Sequence, residues 1–270
     1  MTEGSVHRAA RRLTVAGGEA LDEIVAEEVA VALVYNGISH AVMMATPCDL
    51  EDFARGFSLT ERIVEKPSEI YDIEVEPVDR GIEVRLDIAA QRMVRLQERR
   101  RSLAGRTGCG LCGVDSIDAA MRPVTVVGAT SPVSRQAIER AMAALPLEQR
   151  INRVNGATHA AGWSRPDGTL VAVREDVGRH NALDKLIGHL LTTKADLARG
   201  FLVITSRASY EMVLKAAVAG MPIVVAISAP TAYAVRIAEE AGITLVGFAR
   251  RDRHTVYACP GRIVRGEGAA

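Results

Sequence analysis

Two cysteines, Cys109 and Cys112, stand three residues apart in a glycine-rich loop that runs from Thr107 to Gly113. They are two of only four cysteines in the 270-residue chain. The glycines leave the backbone free to bring both thiols to a partner. Arginines crowd the preceding segment, and guanidinium charge close to a thiol favours the nucleophilic thiolate. These arginines are Arg92, Arg95, Arg99, Arg100, Arg101 and Arg106. The pattern indicates a reactive sulfur rather than a packed one.

A Cys-x-x-Cys pair also occurs in zinc sites and in dithiol redox proteins. A structural zinc site needs four ligands, and the other cysteines, Cys48 and Cys259, are far away in the sequence. The chain has no His-x-Glu motif of the zinc deaminase type. The pair also does not join a strand directly to a helix near the N-terminus, as redox pairs often do. Sulfur transfer is therefore the leading interpretation, with metal binding and redox chemistry as alternatives.

A second group of chemically diverse side chains occupies the segment 174–185. His180 and Asp184 fall on one face of a predicted helix, four residues apart, and Asp176 stands where it can cap that helix. Gly178 allows the backbone to approach a ligand closely. The alternative is a solvated helix with surface ion pairs. Because the segment follows a predicted strand, we favour a functional site.

Three further polar stretches each follow a predicted buried strand, at 206–209, 228–231 and 248–253. In open α/β sheets, ligands bind beyond the carboxyl ends of the strands. Hydroxyl groups, helix N-termini and arginines are the components of a phosphate or nucleotide site. For the two serine-containing stretches, simple helix capping explains the residues equally well.

The overall composition is that of an ordinary soluble globular protein, with 48% apolar and 24% charged residues. Basic and acidic residues number 33 each, so no global field favours nucleic acid or a membrane as a partner. No run approaches the ~18 apolar residues that a membrane helix needs. The basic N-terminus lacks the apolar core of a secretory signal. We therefore expect a cytoplasmic protein whose thiols stay reduced.

The patterning predicts two structured units joined by the cysteine loop. Asn36-Gly37 predicts a β-hairpin, and Asp49 is placed to cap a helix whose buried stripe includes Phe53 and Phe57. Residues 124–127 are predicted to form a short buried strand. From about residue 200 onwards, apolar strands alternate with helices, which predicts a largely parallel sheet covered on both faces. The expected divisions are a flexible tail at 1–18, an α+β domain at 19–105, a mobile loop at 106–122 and an α/β domain at 123–264.

Four motifs in order make the chain resemble the FdhD family, the sulfurtransferases that serve molybdenum- or tungsten-dependent formate dehydrogenases. The similarity extends from about Glu28 to Arg262. Its motifs are the segments 109–113, 175–185, 206–212 with Lys215, and 228–231.

The resemblance implies a fold, a reaction and partners. The C-terminal domain would resemble cytidine deaminase, and the protein would form a homodimer. A cysteine desulfurase would pass sulfane sulfur to Cys109 as a persulfide, with Cys112 as the second member of the pair. The sulfur would then go to the bis-molybdopterin guanine dinucleotide form of the molybdenum cofactor, the bound substrate, before it enters formate dehydrogenase.

The resemblance also places the cofactor-binding segment near the C-terminus. By position this segment comprises Phe248, Ala249, Arg250, Arg251, Asp252 and Arg253. Further candidates, from their positions after strands, are Arg207, Ser228, Thr231 and His180. No structural metal is expected. The rival function is a non-catalytic cofactor chaperone, in which the cysteines are incidental. A third alternative, a zinc-dependent hydrolase, is supported only by analogy with the fold.

Overall fold

A computed structural model describes residues 3–15, 17–103, 123–250 and 253–265, and for 98–103 the backbone alone. Cys109, Cys112, Arg251 and Asp252 lie outside the described residues, as does nearly all of the cysteine loop predicted at 106–122. None of the described helices is long and apolar enough to span a membrane.

The N-terminal segment forms a β-hairpin, so the prediction of a flexible tail over 1–18 is wrong. Strands β1 (Ser5–Thr14) and β2 (Gly17–Ala26) pair in antiparallel register along their whole length. Cross-strand ion pairs link Arg12 to Glu19 at 2.9 Å and His7 to Asp22 at 2.6 Å. Nearly all of both strands is exposed. Because neither face is buried, the sequence lacks the apolar alternation by which strands are predicted.

A four-stranded sheet follows, in the spatial order β4-β3-β6-β5. Its strands are β3 (Val29–Tyr35), β4 (Ile38–Ala45), β5 (Ile70–Val78) and β6 (Gly81–Ile88). The predicted hairpin turn at Asn36-Gly37 is confirmed, and both residues have the positive φ that such turns require. Two helices cover the sheet, α1 (Leu50–Thr60) and α2 (Ala90–Leu103). The predicted stripe of α1 is buried, whereas Asp49 makes no side-chain cap.

The second half of the chain contains a six-stranded sheet in the order β13-β12-β11-β10-β8-β9. Its strands are β8 (His159–Ser164), β9 (Leu170–Asp176), β10 (Phe201–Ile204), β11 (Ile223–Ala226), β12 (Thr244–Arg250) and β13 (Arg253–Ala258). Only β10–β11 and β11–β12 pair in parallel, so the sheet is mixed and the prediction of a largely parallel sheet is wrong. Two short connections, across Pro166–Gly168 and between β12 and β13, are too brief for crossovers and return the chain antiparallel.

Helices cover both faces of this sheet, as the alternation predicts. One face carries α5 (Arg179–Thr192), α6 (Tyr210–Val218) and α7 (Ala232–Ala241), and the other carries α3 (Arg135–Glu148). The described part of the chain also contains β7 (Val133–Ser134), β14 (Ile263–Val264), α4 (Asn152–Asn155) and short 3₁₀ turns at Pro67–Glu69 and Pro260–Arg262. The strand predicted at 124–127 is wrong, because that segment joins no sheet. There Val127 donates instead to the carbonyl of Ala241, at 2.9 Å.

The two halves meet where α1 crosses α5 in backbone contact. A Cβ atom added to Gly56 would lie 1.8 Å from the carbonyl oxygen of Asp184. One added to Gly188 would lie 1.8 Å from that of Asp52. Only glycine fits at either position, so this pair fixes how the N-terminal sheet sits against the C-terminal layer.

Candidate functional site

The carboxyl ends of β9, β10, β11 and β12 lie at one edge of the six-stranded sheet. Both β9 and β10 are antiparallel to β8, so they run in the same direction, and β11 and β12 continue that direction. The polar stretches singled out from the sequence therefore come together at this edge. We use the name strand-end loops for the segments 205–209 and 227–231 together with 247–250, the irregular last part of strand β12.

The first two strand-end loops are joined by backbone contacts. Ala208 pairs with Pro230 in an isolated parallel bridge, and the Thr231 N–H donates to the Ala208 carbonyl at 3.1 Å. The Thr231 hydroxyl accepts from Ala234 at 3.2 Å, which is a helix cap. Ser209 precedes α6 without such a bond, and its buried hydroxyl has no partner among the described residues. Helix capping thus accounts for the hydroxyl of Thr231. The hydroxyl of Ser209 caps no helix and is available to a ligand.

The third strand-end loop docks on the second. The Phe248 N–H donates to the carbonyl of Ser228 at 3.2 Å. The space beside Gly247 is closed, since an added Cβ would lie 2.8 Å from Cδ of Pro230. Phe248 has a φ of 50° at a β-bulge, a strained conformation for a bulky residue, and its side chain is 39% exposed. The backbone thus holds an aromatic ring at the surface of the edge.

The arginines predicted to hold phosphates lie at the same edge where the structure describes them. Arg207 is exposed in the first strand-end loop, Arg250 is exposed at the end of β12, and Arg253 is exposed at the start of β13. Ala249, which precedes Arg250, is buried and packs in the core. The edge thus combines guanidinium groups with the N-termini of α6 and α7.

His180 reaches this edge from the first turn of α5 and meets a carboxylate that sequence reasoning did not single out. Its Nε2 lies 2.9 Å from Oε2 of Glu211, in the first turn of α6. The imidazole lowers the pKa of Glu211. His159 lies close by, and burial, followed by the charge of Arg179, lowers its pKa. Glu211 lies within the family motif at 206–212, but no role was predicted for it, because an acidic residue in the first turn of a helix is common without function.

Most of the other charged residues in 174–185 face the N-terminal half rather than the edge. Asp176 and Lys185 form a fully buried ion pair at 2.7 Å. Lys185 donates to the carbonyl of Thr46 at 2.9 Å, and Asp176 accepts from the Thr46 N–H at 3.0 Å. Asp176 does not cap α5 itself, because the N-cap residue is Gly178, whose N–H it accepts at 2.7 Å.

A second buried ion pair lies further along α5. Asp184 pairs with Lys215 of α6 at 2.8 Å and accepts from the hydroxyl of Thr60 at 2.7 Å. Burial lowers the pKa of Lys215, but the carboxylates of Asp184 and Glu61 outweigh it, and the net shift is upward. The alternative of a solvated helix is therefore wrong: these charges connect α5 to the N-terminal half.

The structure describes two cysteines, Cys48 and Cys259. Cys48 is unsuited to sulfur chemistry, and no role is predicted for Cys259. Cys48 is buried with its Sγ 4.0 Å from Nζ of Lys185, and burial raises its pKa to about 11. Such a thiol stays protonated and unreactive at neutral pH. Cys259 is half-buried beside β13. Within the described ranges, no three His, Cys, Asp or Glu side chains gather as a metal site requires.

Residues 26–264 match the family model described as the FdhD/NarQ family. The chain belongs to this family. Over 239 residues it is 57% identical to a sulfur carrier protein FdhD of Cupriavidus necator, covering 88% of this chain and 83% of the relative. It is 48% identical to the protein of the same name in Bordetella petrii, covering 92% and 90%. The resemblance carried by the four motifs is confirmed.

A solved structure agrees with the fold over almost the full length. It is a candidate formate dehydrogenase accessory protein from Desulfotalea psychrophila, with a TM-score of 0.76 and 25% identity. The match covers 96% of this chain and 99% of that one. For this FdhD/NarQ member, the strand-end loops, with His180 and Glu211 beside them, are the candidate site.

Proposed function

We propose that this FdhD/NarQ member is a cytoplasmic sulfurtransferase that carries sulfane sulfur on Cys109 as a persulfide. A cysteine desulfurase supplies the sulfur, and the bis-molybdopterin guanine dinucleotide cofactor destined for formate dehydrogenase receives it. Relatives named sulfur carrier proteins and a neighbour described as a formate dehydrogenase accessory protein support this role. The observation that carries the proposal is the meeting of the strand-end loops at one edge.

The edge suits the nucleotide ends of that substrate. Arg207, Arg250 and Arg253 are exposed there, and guanidinium groups bind phosphate oxygens with paired hydrogen bonds. The N-termini of α6 and α7 add partial positive charge and free N–H groups. The exposed ring of Phe248 offers a face on which a flat heterocycle can stack. Ser209 adds a buried hydroxyl that has no hydrogen-bond partner in the part of the chain that the structure describes.

The sulfur steps balance around one cysteine. The thiolate of Cys109 attacks the terminal sulfur of the desulfurase persulfide. That S–S bond breaks, the desulfurase cysteine leaves as a thiolate, and a new S–S bond forms on Cys109. In the second step the outer sulfur of the Cys109 persulfide accepts an electron pair from the reduced cofactor, which is oxidised by two electrons as the new bond forms. The S–S bond breaks, and Cys109 returns as a thiolate.

The test is intact-mass measurement after incubation with a cysteine desulfurase and L-cysteine. We expect the wild-type protein to gain one sulfur atom that a reductant removes, and Cys109→Ala to gain none. Cys112→Ala is the matched control, since it keeps the same loop and one thiol. Absence of uptake by a folded wild-type protein would contradict the persulfide mechanism and favour the cofactor chaperone.

Two structural parts of the proposal accompany the chemistry. We propose a homodimer, and we propose that the layer from 123 to 264 is related to the cytidine deaminase core. Its mixed sheet covered by helices on both faces is compatible with that relation. Mass measurement under native conditions tests the dimer.

A further inference from the structure

A cavity of about 390 Å³ lies far from the strand-end loops, at the carboxyl end of α6. Its apolar lining includes Ile63 and Leu96, which are buried, and Val218, the last residue of α6. α6 begins at the strand-end loops, and nine residues of helix span about 13 Å. The cavity is therefore separate from the candidate site, and its volume suits a large side chain or a small ligand.

Three arginines and one acidic residue, Glu65, are among the residues that line the cavity. Arg92 is buried and pairs with Glu69 through two bonds of 2.9 and 3.0 Å, which makes it part of the wall. Arg95 is more than half exposed and contacts Glu65 at 3.1 Å, and Arg62 donates to the carbonyl of Pro123 at 2.7 Å. The helix α2 carries five arginines and one acidic residue. Its charge favours an acidic partner.

The length of the chain connects this surface to Cys109. The described part of α2 ends at Leu103, six residues before Cys109. Six residues of extended chain span at most about 22 Å. Arg95 lies eight residues before Leu103, about 12 Å along the helix. A partner surface of about 800 Å² is roughly 30 Å across, so one partner can cover the cavity while it reaches the cysteine.

We propose that the cavity and the arginines that line it, Arg62, Arg92 and Arg95, form a docking surface for the sulfur donor. The occupant is an acidic surface of that protein, which inserts an apolar side chain between Leu96 and Val218 and places its carboxylates near Arg95. This assignment rests on the proposed function, because it takes the sulfur donor to be the protein that approaches Cys109.

The test is titration calorimetry of the full chain with a cysteine desulfurase. We expect Arg95→Glu to weaken binding about tenfold at low salt, with a smaller difference at high salt, because exposed charges are screened. Arg153→Glu is the matched control: Arg153 is an exposed arginine on α4, away from the cavity, and its reversal should leave binding unchanged. Cys109→Ala should bind like the wild type, which separates docking from sulfur chemistry.

Several outcomes overturn the docking surface. The proposal fails if Arg95→Glu binds the desulfurase as tightly as the wild type does. It also fails if Arg153→Glu loses as much affinity as Arg95→Glu, or if the wild type does not bind at all. A change in oligomeric state on Arg95→Glu, seen by light scattering, would assign the surface to a second copy of the chain instead. If the wild type binds but Cys109 takes up no sulfur, the proposed function fails while the docking surface stands.

Discussion

Phe248 holds its backbone in a conformation that glycine adopts freely and other residues adopt at a cost. Its φ of 50° coincides with the bulge that presents the ring at the strand-end loops. For an L-residue the left-handed region costs roughly 1–2 kcal/mol. The sequence could not reveal this, because the segment 247–250 has the composition of an ordinary strand end.

We expect Phe248→Gly to be more stable than Phe248→Ala by about 1 kcal/mol, because both lose the ring but only glycine relieves the strain. The free energy of unfolding, measured in urea, checks this. Both variants should bind a guanine nucleotide more weakly than the wild type if the ring stacks on it. An alanine variant as stable as the glycine variant would show that the conformation carries no strain.

The ion pair between His180 and Glu211 predicts a pH dependence of stability. The folded protein lowers the pKa of Glu211, so its contribution is present above the ordinary carboxyl pKa and is lost as pH falls through the folded value. Glu211→Gln should therefore be less stable than wild type by about 1 kcal/mol at pH 5.5, and the gap should narrow as the pH falls below the ordinary carboxyl pKa.

Urea unfolding at a series of pH values measures this gap. Glu240→Gln, which changes an exposed carboxylate on α7, serves as the control and should show no comparable trend. A gap that widens on acidification would contradict the assigned direction.

Among the elements, the crossing of α1 and α5 depends on two glycines. Gly56→Ala should destabilise the fold by about 3 kcal/mol or more, because the new Cβ would overlap backbone atoms that have nowhere to move. Gly128→Ala is the matched control, since no atom lies within 4 Å of its added Cβ. Thermal unfolding of the two variants compares them directly, and similar midpoints would mean that the helices separate readily.

Local signals made many of these elements predictable. Turn residues located the hairpin at Asn36-Gly37, and apolar spacing located α1, whose predicted stripe with Phe53 and Phe57 is buried. The direction of β8 and β9 was also within reach of the sequence, because the turn across Pro166–Gly168 is too short for a crossover and requires antiparallel strands. The β1–β2 hairpin was missed because it buries no face.

Part of the candidate site was also predictable from the sequence, because several of its residues directly follow predicted strands. Strand-end position brought Ser228 and Phe248 to one edge, and a general rule for α/β sheets sufficed for that. The partners of Asp176 and Asp184 could not be foreseen. Thr46 and Thr60 lie more than 120 residues earlier in the chain, and helical spacing says nothing of contacts between distant segments.

Across the whole molecule, the buried pairs and the glycine crossing predict that both halves unfold together. Asp176 and Lys185 have no side-chain exposure, and they join the end of β9 and the helix α5 to Thr46 of the N-terminal half. Breaking a buried pair by removing one partner costs about 3–5 kcal/mol, because the remaining charge loses its compensation. If the N-terminal half unfolded alone, the Asp176–Lys185 pair would lose its hydrogen bonds to Thr46. Unfolding of one half therefore destabilises the other.

The only tryptophan makes this measurable. Trp163 is buried in β8 and reports on the C-terminal half, whereas far-UV circular dichroism reports on the whole chain. We expect the two urea transitions to coincide in the wild type, and in Lys185→Met to shift together to a lower midpoint. Separate transitions in the wild type would show that the halves unfold independently. A shift confined to circular dichroism in the variant would place the effect of Lys185 in the N-terminal half alone.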